Sequence, residues 1–158
     1  MRVLGIDPGT GIVGFGVIES GSIKLKMLDA GVIRTPASEP DSKRLKIIAD
    51  GLDEIIKHNK PDVMAVEKLF FARNVTTAMS VAQARGVVLL LGEQNNLPVF
   101  EYTPLQIKQA VTGYGKADKL QVQEMVRTIL KLKNIPKPDD CADALACAIT
   151  HTMTARFA

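Results

Sequence analysis

Val3-Leu4-Gly5-Ile6-Asp7-Pro8-Gly9-Thr10 is the stretch that decides the fold. Its first four residues are apolar or small and show no alternation. They run straight into an acid, and Pro8-Gly9 then turns the chain. An unalternating apolar run of this length fits a strand buried on both faces. Such a strand needs a sheet layered between helices. Outward from it, Ile12 to Glu19 is a second strand rich in Val, Ile and Phe, and Ser20-Gly21 is a turn signal. Ile23 to Ile33 contains a third strand, so the first three strands form an antiparallel meander. Ser42 to Asn59 carries Leu45, Ile48, Leu52, Ile55 and Ile56 on one helical stripe, and Pro61 stops it. Val63 to Val66 is a further buried strand, Thr76 to Asn95 a long helix, and Pro98 to Tyr102 a fifth strand. Helices are expected at Pro104 to Val111, Lys119 to Lys131 and Asp140 to Thr154. The order βββαβαβ followed by helices implies an α/β fold, a mixed five-stranded sheet with helices on both faces.

The 158 residues suit a single domain, 1–158, and 46% hydrophobic residues can build its core. No apolar stretch is long enough to span a bilayer. The chain opens on a strand and not on a signal peptide, which points to the cytoplasm. Cys141 and Cys147 are six apart on one helix, so they face different ways and cannot pair with each other. Buried reduced thiols are the expectation for both. A net charge of +3 is too mild to identify a partner by itself.

The acids say more. Asp7 ends the first strand and Glu67 ends the fourth, and strand ends are where α/β proteins place their chemistry. Asp139, Asp140 and Asp143 open the last helix, with Asp140 and Asp143 on a shared face. The rest of that helix is almost wholly apolar, and a buried carboxylate needs a partner. A hard cation held by carboxylates from three segments would supply one. The competing reading is structural: Asp139 as a helix cap, Asp143 favoured by the helix dipole, Asp7 as a turn residue. Spacing alone leaves the two readings level, with capping ahead for Asp139.

The ordered motifs decide between them. Gly5-Ile6-Asp7-Pro8-Gly9-Thr10, Ala65-Val66-Glu67 and Asp140-Cys141-Ala142-Asp143-Ala144-Leu145-Ala146 resemble the three acidic motifs of the RuvC Holliday junction resolvases. Gln83-Ala84-Arg85-Gly86, Pro98 to Tyr102 and Gln123 to Arg127 also resemble that family, and the match runs in order from Arg2 to about Thr152. The resemblance implies a ribonuclease H-like fold and four catalytic, metal-binding acids: Asp7, Glu67, Asp140 and Asp143. It implies a homodimer that nicks two opposing strands of a four-way DNA junction, working with the RuvA–RuvB branch-migration machine. Two Mg²⁺ ions per subunit, roughly 3.5–4 Å apart, suit phosphodiester hydrolysis of this kind, and Mn²⁺ is expected to substitute. Asp7 is the expected bridging ligand, and the products are 5′-phosphate and 3′-hydroxyl ends.

With the four acids set aside, the net charge becomes +7, enough to hold DNA through its phosphates. Lys108, Lys116 and Lys119 flank the Gly113-Tyr114-Gly115 loop, and Lys108 and Lys119 match family lysines near the scissile phosphate. Phe70 and Phe71 follow Glu67 in a chain with only five Phe, two Tyr and no Trp. Phe70 is expected to stack on an unpaired base and Phe71 to pack inward, with Arg73 and Asn74 suited to phosphate or base contacts. His58 and His151 fit no catalytic motif. The second half of the long helix is apolar all round, so one side covers the sheet and the other meets a partner. Met79, Ala82, Val87 and Leu91 are the expected homodimer contacts. Two other readings share parts of the pattern. A YqgF-type nuclease acting on RNA has the same fold, but the Asp140–Asp143 pair favours a resolvase. An actin- or sugar-kinase-like ATPase has a similar first loop, but it needs a second domain and an adenosine motif.

Overall fold

In a computed structural model, described for residues 1–68 and 75–155, the first strand lies at the centre of the sheet. The strands are β1 (Arg2–Asp7), β2 (Ile12–Ser20), β3 (Leu25–Arg34), β4 (Val63–Glu67) and β5 (Val99–Tyr102). They lie in the order β3-β2-β1-β4-β5. β1, β2 and β3 form the expected antiparallel meander, whereas β4 runs parallel to β1 and β5 parallel to β4. The parallel pairs follow from the helical crossovers α1 (Asp41–Asn59) and α2 (Val75–Gln94), which return the chain to the same edge of the sheet. The remaining helices are α3 (Pro104–Thr112), α4 (Lys119–Ile129) and α5 (Asp139–Ala155).

Each face of the sheet has its own core. On one face Leu4, Ile6, Met64 and Val66 pack against Ile48, Leu52 and Ile56 of α1 and Ala84, Val88 and Leu91 of α2. On the other, Val3, Val63 and Ala65 meet Leu145, Ala146 and Ile149 of α5, with Val111 of α3 and Val126 of α4 outside them. Alternate residues of β1 and β4 thus serve opposite layers, as the pleat requires. This explains why neither strand shows an alternating pattern.

α5 is the innermost helix, and from Cys141 to Thr152 every residue except Asp143 is buried. It can lie so close because the sheet beneath it lacks side chains at Gly5, Gly14 and Gly16. A Cβ on Gly5 would stand 2.0 Å from the Ala144 carbonyl oxygen, and one on Gly14 would stand 2.1 Å from that of Asp140. Both separations are far inside van der Waals contact, so only glycine permits the crossing. Cys141 and Cys147 are buried free thiols, as expected.

Two expectations need correction. α4 ends at Ile129 and not at Lys131, because Lys131 takes the left-handed conformation at φ 54°. The Leu132 amide then donates to the Arg127 carbonyl at 2.8 Å, closing a Schellman-type end. The other correction concerns α2. Leu91 is buried in the chain's own core and does not face outward, and Val87 is partly buried against the same core. Among its described side chains, α2 exposes the large apolar residues Met79 and Leu90, and beside them a Cβ on Gly86 would meet nothing within 4 Å. Ala82 is only partly buried. The apolar pattern is continuous around the helix and could not say which side the sheet would claim.

Candidate active site

Strand register brings the acids together. Ile6 of β1 pairs with Val66 of β4, so Asp7 and Glu67 stand at matching ends of adjacent parallel strands. Ile6 and Val66 point into the α1–α2 core, so Asp7 and Glu67 point to the opposite face, beneath α5. Across β1, Asp7 pairs with Gly14, the glycine over which Asp140 lies. Asp143 follows one helical turn later. The crossing of α5 over β1 and β2 is therefore what delivers Asp140 and Asp143 to Asp7.

The electrostatics show how closely the acids are gathered. Burial, then the charges of Glu67 and Asp143, a hydrogen bond with Glu67 and the charge of Asp140 push the Asp7 carboxyl up from 3.8 to about 9. Glu67 is also raised, by burial and by Asp143, against the opposing pull of its hydrogen bond with Asp7 and of Lys119 and Lys108. Asp143 is raised by burial although Lys119 opposes the shift. Like charges brought together out of water account for all three directions. The Asp7–Glu67 hydrogen bond requires a proton on one of the two carboxyls.

A cavity of about 280 Å³ opens beside them, lined by Glu67, Asp143, Pro104, Ile107, Lys108, Lys119, Val122 and Ala146. Lys119 Nζ lies 3.3 Å from Asp143 Oδ2 and 3.7 Å from Asp139 Oδ2. Lys119 thus pairs with two acids and Lys108 lines the same cavity, whereas Lys116 is exposed and does not line it. Asp139 falls in the first turn of α5, where Lys119 and Lys137 hold it at 3.7 Å each. His58 is exposed, and His151 is buried, with Nδ1 2.8 Å from the Tyr102 hydroxyl. Phe70, Phe71, Arg73 and Asn74 lie outside the described residues.

An all-carboxylate donor set on a strongly charge-burdened Asp7 suits a hard divalent cation. Among the described residues no three acidic, histidine or cysteine side chains close on a single point as a ready-made ligand set. The fit therefore rests on the donor chemistry and on the shared charge.

One feature of the site had no signal in the sequence. The Thr35 hydroxyl donates to the Thr10 carbonyl at 2.5 Å and accepts from Arg44 Nε at 2.9 Å. The Thr10 hydroxyl donates to Ser80 Oγ at 2.9 Å. The turn after Asp7 is thereby tied to β3, α1 and α2. Nothing in the spacing of Thr10, Thr35, Arg44 and Ser80 marks them as neighbours.

Comparison with known proteins agrees with this geometry. Residues 3–151 match the family described as crossover junction endodeoxyribonuclease RuvC. The RuvC protein of Thermomicrobium roseum is 54% identical over 158 residues, covering 100% of this chain and 96% of that protein. That of Desulfitobacterium hafniense is 58% identical over 151 residues, covering 96% and 92%. The structure of Thermus thermophilus RuvC in complex with a Holliday junction substrate superposes with a TM-score of 0.94 at 41% identity, covering 99% of this chain and 96% of that one. The yeast mitochondrial Holliday junction resolvase shares the fold, with a TM-score of 0.70 at 16% identity over 96% of this chain and 77% of its own. The sheet is thus ribonuclease H-like, and the chain belongs to the RuvC family of crossover junction endodeoxyribonucleases.

Proposed function

We propose that this protein resolves four-way DNA junctions by paired symmetric nicks, using divalent cations held by Asp7, Glu67, Asp140 and Asp143. What supports the reading is that Asp7, Glu67 and Asp143 share charge out of water, with Asp140 felt at Asp7, and that Glu67 and Asp143 line one cavity with Lys108 and Lys119. Lys108 and Lys119 hold the scissile phosphate over the acids, where their charge offsets repulsion between carboxylate and phosphate. Asp7 and Glu67 would hold such cations in their ionised form, because hard cations take ionised carboxylates. Two Mg²⁺ ions held by these acids, or Mn²⁺ in their place, would supply the positive charge that makes a water nucleophilic and offsets charge on the leaving 3′ oxygen. The products carry 5′-phosphate and 3′-hydroxyl ends.

The chain works in this reading as a cytoplasmic homodimer, alongside the RuvA–RuvB branch-migration complex. The exposed Met79 and Leu90 on α2 support a two-fold contact through that helix. No described helix is long and apolar enough to cross a membrane. The test is to incubate the protein with a synthetic four-way junction and Mg²⁺ and to map the ends. Paired nicks at symmetric positions, ligatable without further processing, are expected. Cleavage of linear duplex or RNA in preference to the junction would refute the proposal.

A further inference from the structure

Lys108 and Lys119 come from α3 and α4, on the α5 face of the sheet. The acids lie at the strand ends, so a DNA strand laid across them from the α3–α4 side also runs past the β2–β3 side of the sheet. Two arginines stand there. Arg34 closes β3 and pairs with Ile12, two residues before the Gly14 that underlies Asp140. Arg44 sits in the first turns of α1, and its Nη2 lies 3.4 Å from the position a Cβ on Gly11 would take, over the turn that follows Asp7.

Their pairing sets them apart. The other described arginines, Arg2, Arg85 and Arg127, each have an acidic partner within ion-pair distance. Among the described residues, neither Arg34 nor Arg44 has one. Arg44 is nevertheless fixed in place. Its Nε donates to the Thr35 hydroxyl at 2.9 Å, and that hydroxyl donates to the Thr10 carbonyl at 2.5 Å. Thr10 and Thr35 are both buried. A guanidinium has five N–H donors, so the anchor leaves its outer edge free, in the planar geometry that suits a phosphate.

We propose that Arg34 and Arg44 form a second phosphate-binding arm, on the β2–β3 side of the acidic cleft opposite Lys108 and Lys119, with Thr35 holding Arg44 in register with the Asp7 turn. The ligand is the sugar–phosphate backbone of the strand being cut, gripped on both sides of the break. This rests on the reading of the chain as a junction nuclease. The arm supplies position and affinity, not chemistry, because neither arginine lies among the acids.

The test measures junction binding by Asp7→Asn protein, which keeps the DNA intact, across a salt series. Arg34→Ala and Arg44→Ala are compared in that background with Lys43→Ala, an exposed neighbour already paired with Glu39. Each arginine variant should weaken binding about tenfold near 0.1 M salt and lower the slope of log affinity against log salt by about 0.9. Lys43→Ala should change neither. Arg44→Lys should keep most of the slope while losing affinity, since it keeps the charge and not the fork. An Arg44 that only braced the turn would lower the melting temperature and leave the salt slope alone. Unchanged slopes in Arg34→Ala and Arg44→Ala overturn the inference. If Arg44→Ala does not fold, Arg34→Ala and Arg44→Lys decide the matter by the same criterion. Failure of the unmodified protein to bind or nick a four-way junction would sink the functional reading instead.

Discussion

Replacing Asp7 by Asn should abolish cleavage and, with chelator present, make the protein more stable. The stability effect follows from proton linkage. In the unfolded chain Asp7 titrates near 3.8, and in the folded chain near 9. Between those values the folded state binds more protons than the unfolded state, so stability falls as pH rises. The contribution is fully present below 3.8 and is lost as pH climbs through about 9. At pH 7, about three pH units above the unfolded value of 3.8, the cost is at most ~4.5 kcal/mol at ~1.4 kcal/mol per unit. Glu67 and Asp143 share the burden, which reduces the part due to Asp7 to ~2–4 kcal/mol. Asn keeps the shape and can still donate a hydrogen bond to Glu67, but it never has to ionise. For a domain of this size the gain is roughly 5–15 °C in melting temperature. The assay is thermal unfolding in EDTA from pH 5 to pH 8.5. The gap between variant and wild type should widen with pH. Saturating Mg²⁺ should then raise the wild-type melting temperature, by an amount equivalent to ~2.7 kcal/mol at a hundred times Kd, and do little for the variant. A variant no more stable than wild type at pH 8 in EDTA, or a gap that does not grow with pH, would refute the argument.

Three further outcomes can be checked alongside. Gly14→Ala should lower the melting temperature by several degrees and cleavage with it, because the new methyl would stand 2.1 Å from the Asp140 carbonyl and overpacking costs ~1–3 kcal/mol or more; normal activity would show that α5 does not need this close crossing. Leu90→Asp should weaken self-association in sedimentation while the fold survives, whereas Leu91→Asp should cost the fold itself, since Leu91 is buried and Leu90 exposed; a Leu90→Asp protein that still sediments as a dimer would place the interface elsewhere. Phe70→Ala should bind junctions yet cut them poorly, and recover on junctions loosened by mismatches at the crossover, because stacking on a base is worth ~1–3 kcal/mol; equal loss on both substrates would point to a packing role.

The sequence by itself determined the order and approximate extent of the elements, because each carries its own periodicity and stop signals. It also drew attention to Asp7 and Glu67 at the ends of apolar runs and to Asp139, Asp140 and Asp143 at the start of an apolar helix, while spacing left a metal site and a structural role level. Their motifs, in order, carried the family. What the sequence could not supply was contact between distant segments. Asp7 and Glu67 are 60 positions apart and become neighbours only through the parallel register of β1 and β4. The acids of α5 reach them only because Gly5 and Gly14 let that helix lie against the sheet. The same limit explains why Leu91 was expected at a partner contact although it lies in the chain's own core. An apolar pattern states that a helix must be covered, and only the packed sheet decides that Leu91 turns inward and Leu90 outward. It explains Arg44 as well, whose place above the Asp7 turn depends on Thr35 and Thr10 meeting across the fold. Periodicity records which side chains avoid water; which surfaces then meet is settled by packing and hydrogen bonding among segments far apart in the chain.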